Sequence, residues 1–446
     1  MQPWYDQAGT PRLAVCMDYD AERKRCTLHF KQSCPTTPES SNKQPFLIPL
    51  TLALLLPDGN EVALQLVDEQ LVEHQTQDTS RTLLITQTEQ SFCFINITER
   101  PIPSLLRGFS APIELEYPYT QQEHAFLMQY DSDSFNRWAA AQALSKQILL
   151  TMIEEGRCPN KIISQAFACL LADQTLEPAL KAEALILPSE SDISEALAAA
   201  NKTINPANIH AARESLRHDI ASDLQELFHS TYQHMSQATG LSDESMQRRK
   251  LKNVCLSYLM TLKTKHQISL AYEQFQKADN MTDQYAALAV LADCDCKERD
   301  LALQSFEKQW WNESNVMDKW FSVQASSSLP HTLKNVLSLM SHEKFDIRNP
   351  NKVRALIGSF AMRNHHAFHA CDGKGYAFIA DQVLALDKLN PQVASRMARA
   401  LINWKHLEPV RQSLMHAQLQ KIIHTKGLSA DVYEIVSKST VTEPNL

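Results

Sequence analysis

The chain has 446 residues, with 43 Lys and Arg against 51 Asp and Glu, and its formal charge of −8 argues against the basic face that nucleic-acid binding requires. Apolar residues make up 44%, the composition of a folded protein with about two to four domains at roughly 100–200 residues each. Only nine glycines occur, and GxGxxG, GxxxxGK and GxSxG are all absent, which disfavours glycine-rich phosphate cradles and a nucleophile elbow.

The first 118 residues read as short strands. LAVCMDY at 13–19 and CTLHFKQ at 26–32 flank a turn-like stretch. Residues 46–56 and 61–66 flank Pro57-Asp58-Gly59-Asn60, a strong hairpin signal. Further strands are expected at 81–86, 91–97 and 113–117, and about seven short strands at this spacing predict a small antiparallel sandwich. After Pro118 the apolar period becomes helical. Helices are expected at 135–150, 161–171, 209–228, 248–262, 283–291, 297–310, 314–325, 329–339, 352–361, 375–386, 391–402 and 410–423. Asn205-Pro206, Asn349-Pro350 and Asn390-Pro391 each place Asn at the N-cap and Pro in the first turn. The fold class is therefore multidomain α+β: an immunoglobulin-like sandwich over 13–118, then an all-α superhelix or solenoid over 119–446. No fixed repeat length is visible.

Ten cysteines, Cys158 among them, contain no CxxC pair, which speaks against a zinc ribbon and a disulfide framework. Neither a signal peptide nor an apolar run of membrane-spanning length is visible, so a cytoplasmic protein is expected, with no membrane partner. Trp310-Trp311 and Trp320-Phe321 read as helix-packing core, Arg248-Arg249-Lys250 as a solvated run, and Asp131-Ser132-Asp133 as a helix cap.

Several strings carry a resemblance. They are YDQAGTPR at 5–12, KQPFLIPL at 43–50, DSDSFNRWAAAQAL at 131–144 and ADNMTDQYAAL at 278–288. NVMDKWFSVQA at 315–325, NPNKVRALIGSFA at 349–361 and LDKLNPQVASR at 386–396 complete the set. In this order, they resemble the C-terminal half of bacterial aminopeptidase N, a zinc aminopeptidase of the gluzincin type. The resemblance implies a β-sandwich and a helical superhelix that follow a thermolysin-like catalytic domain, with residues 1–12 as the linker from it. It also implies that Arg354, Gln392 and Arg396 face the substrate chamber, toward the C-terminal side of a peptide. Gln392 and Arg396 share a helix face at i and i+4, and an arginine fork offers paired donors to a carboxylate.

The family's chemistry needs HExxH, two histidines on one helix face binding zinc with a glutamate as general base. No HExxH occurs: His342-Glu343 is followed by Lys344, Phe345 and Asp346. The GAMEN-type loop that holds a substrate amine is absent as well. The expectation is a chain with no catalytic residues and no metal of its own, the zinc belonging to a catalytic half that carries HExxH. That half and peptides are the expected partners. His365-His366-x-x-His369 and Cys294-Asp295-Cys296 are the nearest approaches to another metal set, and structural roles are favoured for both. The alternative function is a stand-alone α-solenoid module that binds proteins or peptides; an enzyme acting through some other site is a third.

Overall fold

A computed structural model describes residues 2–37, 42–69, 78–156, 161–237 and 240–440. Its contacts divide the chain into two units. One comprises residues 1–148 with 160–187, the other 149–159 with 188–446. The sheets and the first helices thus belong to one unit.

In the first unit, β1 (Arg12–Asp20), β2 (Arg25–Ser33), β3 (Ile48–Leu55), β4 (Ser80–Ile85), β5 (Glu89–Phe94), β6 (Ile102–Leu105) and β7 (Glu114–Glu116) form two sheets. Their orders are β5-β2-β1-β7 and β4-β3-β6. The inward positions Leu13, Val15, Leu28 and Phe30 meet Ile48, Leu50, Leu52 and Ile85 in one apolar core, as alternation of side chains across a pleat dictates.

Two expectations for this part need correction. Residues 61–66 are not a strand; only isolated bridges join Leu55 to Glu61 and Leu66 to Phe94. The turn itself forms, with the Leu56 amide donating to the Asn60 carbonyl at 2.9 Å. The returning chain finds both edges of β3 taken, by β4 against Ile48–Ala53 and by β6 against Leu52–Leu55. The seventh strand is instead Ile102–Leu105, too short and proline-interrupted to show alternation. Nor is the sandwich wholly antiparallel, since β7 pairs parallel to β1.

Within the same unit, Arg107 explains why the first helices join the sheets. Its guanidinium bonds Asp131 at 2.6 Å and also bonds Glu61 and Ser132. Asn136 donates to Ser104 Oγ and the Leu105 carbonyl at 2.8 and 3.0 Å. Asp133 accepts from the Asn136 amide at 2.8 Å, the expected cap, whereas Asp131 serves the arginine.

The second unit is helical throughout its regular structure. The three Asn-Pro starts behave as expected: Asn205, Asn349 and Asn390 each accept a backbone N–H from the first turn. Trp320 and Phe321 are buried, and Trp320 Nε1 donates to the Leu303 carbonyl at 2.9 Å. Arg248-Arg249-Lys250 is not a solvated run. Arg249 is buried, donates to the Gly240 carbonyl and lies near Asp283, because it points into a junction of helices. Gly373 makes a turn at φ +68°, but Gly375 is inside helix Lys374–Asp387, where a methyl group would stand 2.3 Å from the Phe368 carbonyl oxygen. The nine described cysteines are all free, and Cys158 lies outside the described residues. No described helix is long and apolar enough to cross a membrane.

Candidate functional site: an arginine cleft

Two helical segments of the second unit build one charged cleft. The first starts at the Asn349 cap as Pro350–Val353, passes through a π-turn at Arg354–Gly358 and ends as Ser359–Arg363. The second starts at the Asn390 cap as Pro391–Ala398 and continues as a 3₁₀ stretch, Arg399–His406. Val353, Leu356, Ile357 and Phe360 anchor the first in the core; Ala394, Met397 and Ala398 anchor the second.

Between them lies a cleft of about 440 Å³ with Val393, Met362 and Met397 on its walls and four arginines, Arg354, Arg363, Arg396 and Arg399. No carboxylate lines it. All four arginines are exposed, and among the described residues none makes an ion pair. Arg354 is held by its own helix start, its Nε donating to the Pro350 carbonyl at 3.2 Å and its Nη2 to Asn351 Oδ1. Those neutral acceptors orient the fork and leave its charge uncompensated. Four guanidinium groups facing one opening make a strongly positive, hydrogen-bond-donating surface, suited to carboxylate or another oxyanion.

The π-turn explains how Arg363 reaches the cleft. In an uninterrupted α-helix, residues nine apart point about 180° away from each other. A π-turn inserts one extra residue, so the same pair separates by only about 80°. The Ser359 amide bonds back to the Arg354 carbonyl across this wider turn. Arg354 and Arg363 therefore line the same opening.

A second cavity of about 400 Å³ shares Met362 and Arg399 with the cleft and continues along His365, Phe368, His369, Asn403, His406 and Met415. Two of its histidines have local partners. His369 Nδ1 is 2.8 Å from the Tyr376 hydroxyl, and His365 Nε2 is 3.2 Å from Ser191 Oγ. Burial pushes His369 down to about 3, reinforced by His365 and Arg411, and burial also lowers His365 and His366. His210, which bonds Glu190 at 2.7 Å, is raised: burial opposes the proton, and the carboxylate overrides it. No group of three or more His, Cys, Asp or Glu among the described residues is arranged to hold a metal ion. His342 packs among Trp311, Trp320 and Phe321 and contacts Glu307 Oε1 at 3.0 Å. Cys294 is buried, which lifts its thiol to about 11, with Cys296 adding to the rise.

A larger opening of about 640 Å³ lies on the sheet of β1, β2 and β5. Its charges are already matched, Lys31 to Glu89 at 2.8 Å and His29 to Asp18 at 3.1 Å. It therefore offers a ligand no uncompensated charge, and the arginine cleft is the better candidate.

The structure brings Arg354 and Arg396 together. Gln392 is exposed one turn before Arg396 and is not among the residues lining the cleft. Arg363 and Arg399 were missed from the sequence. Arg399 stands at i+3 from Arg396, a signal that could have found it. Arg363 has no such signal, since the α-helical register puts it opposite Arg354.

Residues 9–118 match a domain of unknown function with an Ig-like fold (DUF3458), and residues 121–441 match its C-terminal ARM-repeat domain (DUF3458_C). The chain is 36% identical over 444 residues to an aminopeptidase N of Escherichia coli (strain K12), a match covering 98% of this chain and 49% of that protein. It is 34% identical over 444 residues to an aminopeptidase N of Haemophilus influenzae, with the same coverage of each. Among solved structures it resembles a crystal structure of Legionella pneumophila aminopeptidase A in complex with aspartic acid. The TM-score is 0.82 at 30% identity, over 98% of this chain and 49% of that one. The chain thus spans about half the length of the relatives it matches.

Proposed function

Since the chain belongs to the DUF3458 family and corresponds to the C-terminal part of an aminopeptidase N-like protein, we propose that it is the non-catalytic wall of a peptide chamber and holds the C-terminal side of the substrate. The observation that supports this reading is the cleft of four unpaired arginines with no acidic residue in its lining. A peptide's terminal carboxylate is the oxyanion such a cleft would accept, with Arg354 and Arg396 as its first donors and Gln392 as an exposed neighbour on the same helix. Zinc and the general base would belong to a segment carrying HExxH, which these 446 residues lack. The residues present do not fit the family's zinc site: HExxH does not occur, and among the described residues no group of three or more His, Cys, Asp or Glu is arranged to hold a metal ion. No bond-breaking step is therefore assigned to this chain. Its role is to position the peptide and confine it.

Binding of one peptide in free-acid and C-terminally amidated forms tests the reading. Each charge-assisted hydrogen bond is worth about 1.5–3 kcal/mol where water is excluded, and exposure of these arginines reduces that. The free acid should bind about tenfold more tightly than the amide, and Arg354→Ala with Arg396→Ala should abolish the difference while far-UV circular dichroism stays unchanged. Equal affinity for both forms would refute the carboxylate role.

A further inference from the structure

We infer that the cleft holds two carboxylates, and that it selects peptides whose C-terminal residue is itself acidic. The inference rests on the reading of the cleft as a carboxylate site and adds a specificity to it. One carboxylate accepts a bidentate bond from one guanidinium and a further bond from a second. Four arginines exceed that need, and the two not engaged by one carboxylate are left as donors for a second negative group.

The placement of the arginines supports two tiers. Gly358 lies beside Met397, where a methyl group on it would be 3.7 Å from the thioether methyl, so the middles of the two segments are level. Arg354 precedes this contact and belongs to the end nearer the two helix starts. Arg363 follows it, and Met362 and Arg399 also line the neighbouring cavity, which puts Arg363 and Arg399 at the opposite end. Arg396 and Arg399 are three residues apart on one helical segment, a separation of about 4.5 Å along its axis. That is within reach of an Asp or Glu side chain measured from its own α-carboxylate. The first tier, Arg354 and Arg396, then takes the terminal carboxylate; the second, Arg363 and Arg399, takes the acidic side chain. The terminal residue's methylenes would rest on Met362 and Met397, between the tiers.

Titration calorimetry on the full chain tests this with four forms of one pentapeptide: ending in Glu or in Gln, each as free acid or amide. The Glu acid should bind about tenfold more tightly than the Gln acid. Arg363→Gln with Arg399→Gln should bring the Glu acid to the level of the Gln acid, the Glu acid losing about tenfold more affinity than the Gln acid; Arg399→Gln alone should give part of the loss. Arg354→Gln with Arg396→Gln should weaken both acids relative to their amides. Equal binding of the Glu and Gln acids, each still preferred over its amide, would overturn the second tier and leave the carboxylate reading standing. Binding that is indifferent to both the terminus and the side chain would overturn both. An equal weakening of the Glu and Gln acids in the Arg363 and Arg399 variant, with the Glu preference kept, would also overturn the division into tiers.

Discussion

His369 shows how a residue that looks like a ligand in the sequence becomes a structural group in the fold. Its ring sits against Tyr376, and Arg411 Nε donates to the His369 carbonyl at 2.5 Å. Burial, the nearby His365 and the Arg411 charge hold it neutral down to about pH 3. The unfolded chain would protonate this side chain near pH 6.5. Between those values the unfolded state binds a proton that the folded state refuses, so stability falls as pH drops through the window, by up to about 1.4 kcal/mol per pH unit for this group. His124, pushed by burial to about 4, acts in the same direction. His210, with its raised value, acts oppositely: its stabilisation is present below the unfolded value and is lost as pH rises through the folded one. Replacing His369 with Gln should cost stability at pH 7 but flatten the urea-midpoint profile between pH 6 and 4. Parallel profiles for the two proteins would show that His369 does not titrate as its surroundings dictate.

Helices in the second unit are joined by a buried polar junction that the sequence disguises. Asp283 stands in the first turn of helix Met281–Ala292, where Asn280 caps it. It accepts from Lys252 Nζ at 2.5 Å and Asn253 Nδ2 at 3.0 Å, both on helix Asp243–Leu259. Gln274 of helix Lys265–Lys277 donates to Asn253 Oδ1 at 2.8 Å and to the Asp283 carbonyl at 2.9 Å. Both charges of the Lys252–Asp283 pair are nearly out of water, at 10% and 9% side-chain exposure. Removing Asp283 leaves Lys252 and the nearby Arg249 buried without their carboxylate, which costs about 3–5 kcal/mol. Asp283→Ala should lower stability by that amount in denaturant titration, whereas Lys252→Met combined with Asp283→Leu should cost less than the two single changes together, Arg249 alone still lacking its carboxylate. A double variant as unstable as the sum of both single variants would show that packing, not charge pairing, dominates the junction. The π-turn at Arg354–Gly358 is the other decisive element, since it changes which side chains share a face without changing the amino acids themselves.

At the scale of the whole chain, coverage of about half of each relative's length raises the matter of what completes the site. A tagged pull-down from the source cells, read by mass spectrometry, should recover a protein carrying HExxH if the chamber is assembled from separate chains. Recovery of unrelated proteins alone would favour the interaction-module alternative instead. The division into two units also has a physical cause. Arg107, Asp131, Glu61 and Asn136 bond across the strand ends and the first helices of one unit, so the change from strand to helix near Pro118 is not the place where contacts thin out.

The sequence by itself determined the change from β to α, the three Asn-Pro helix starts, the burial of Trp320 and Phe321 and the absence of HExxH. Each of these depends on residue type, local spacing or one turn of chain. It also singled out Arg354 and Arg396, though through likeness to a family and not through periodicity. Only the tertiary structure decided that residues 61–66 leave the sheet, because edge occupancy on β3 depends on strands about 30 and about 50 residues further along. Only it decided that Arg249 is buried and that Arg363 joins the cleft. The burial depends on which helices meet, and the cleft depends on a one-residue shift in helical register. Both are set by packing between segments far apart in the chain, which no local pattern records.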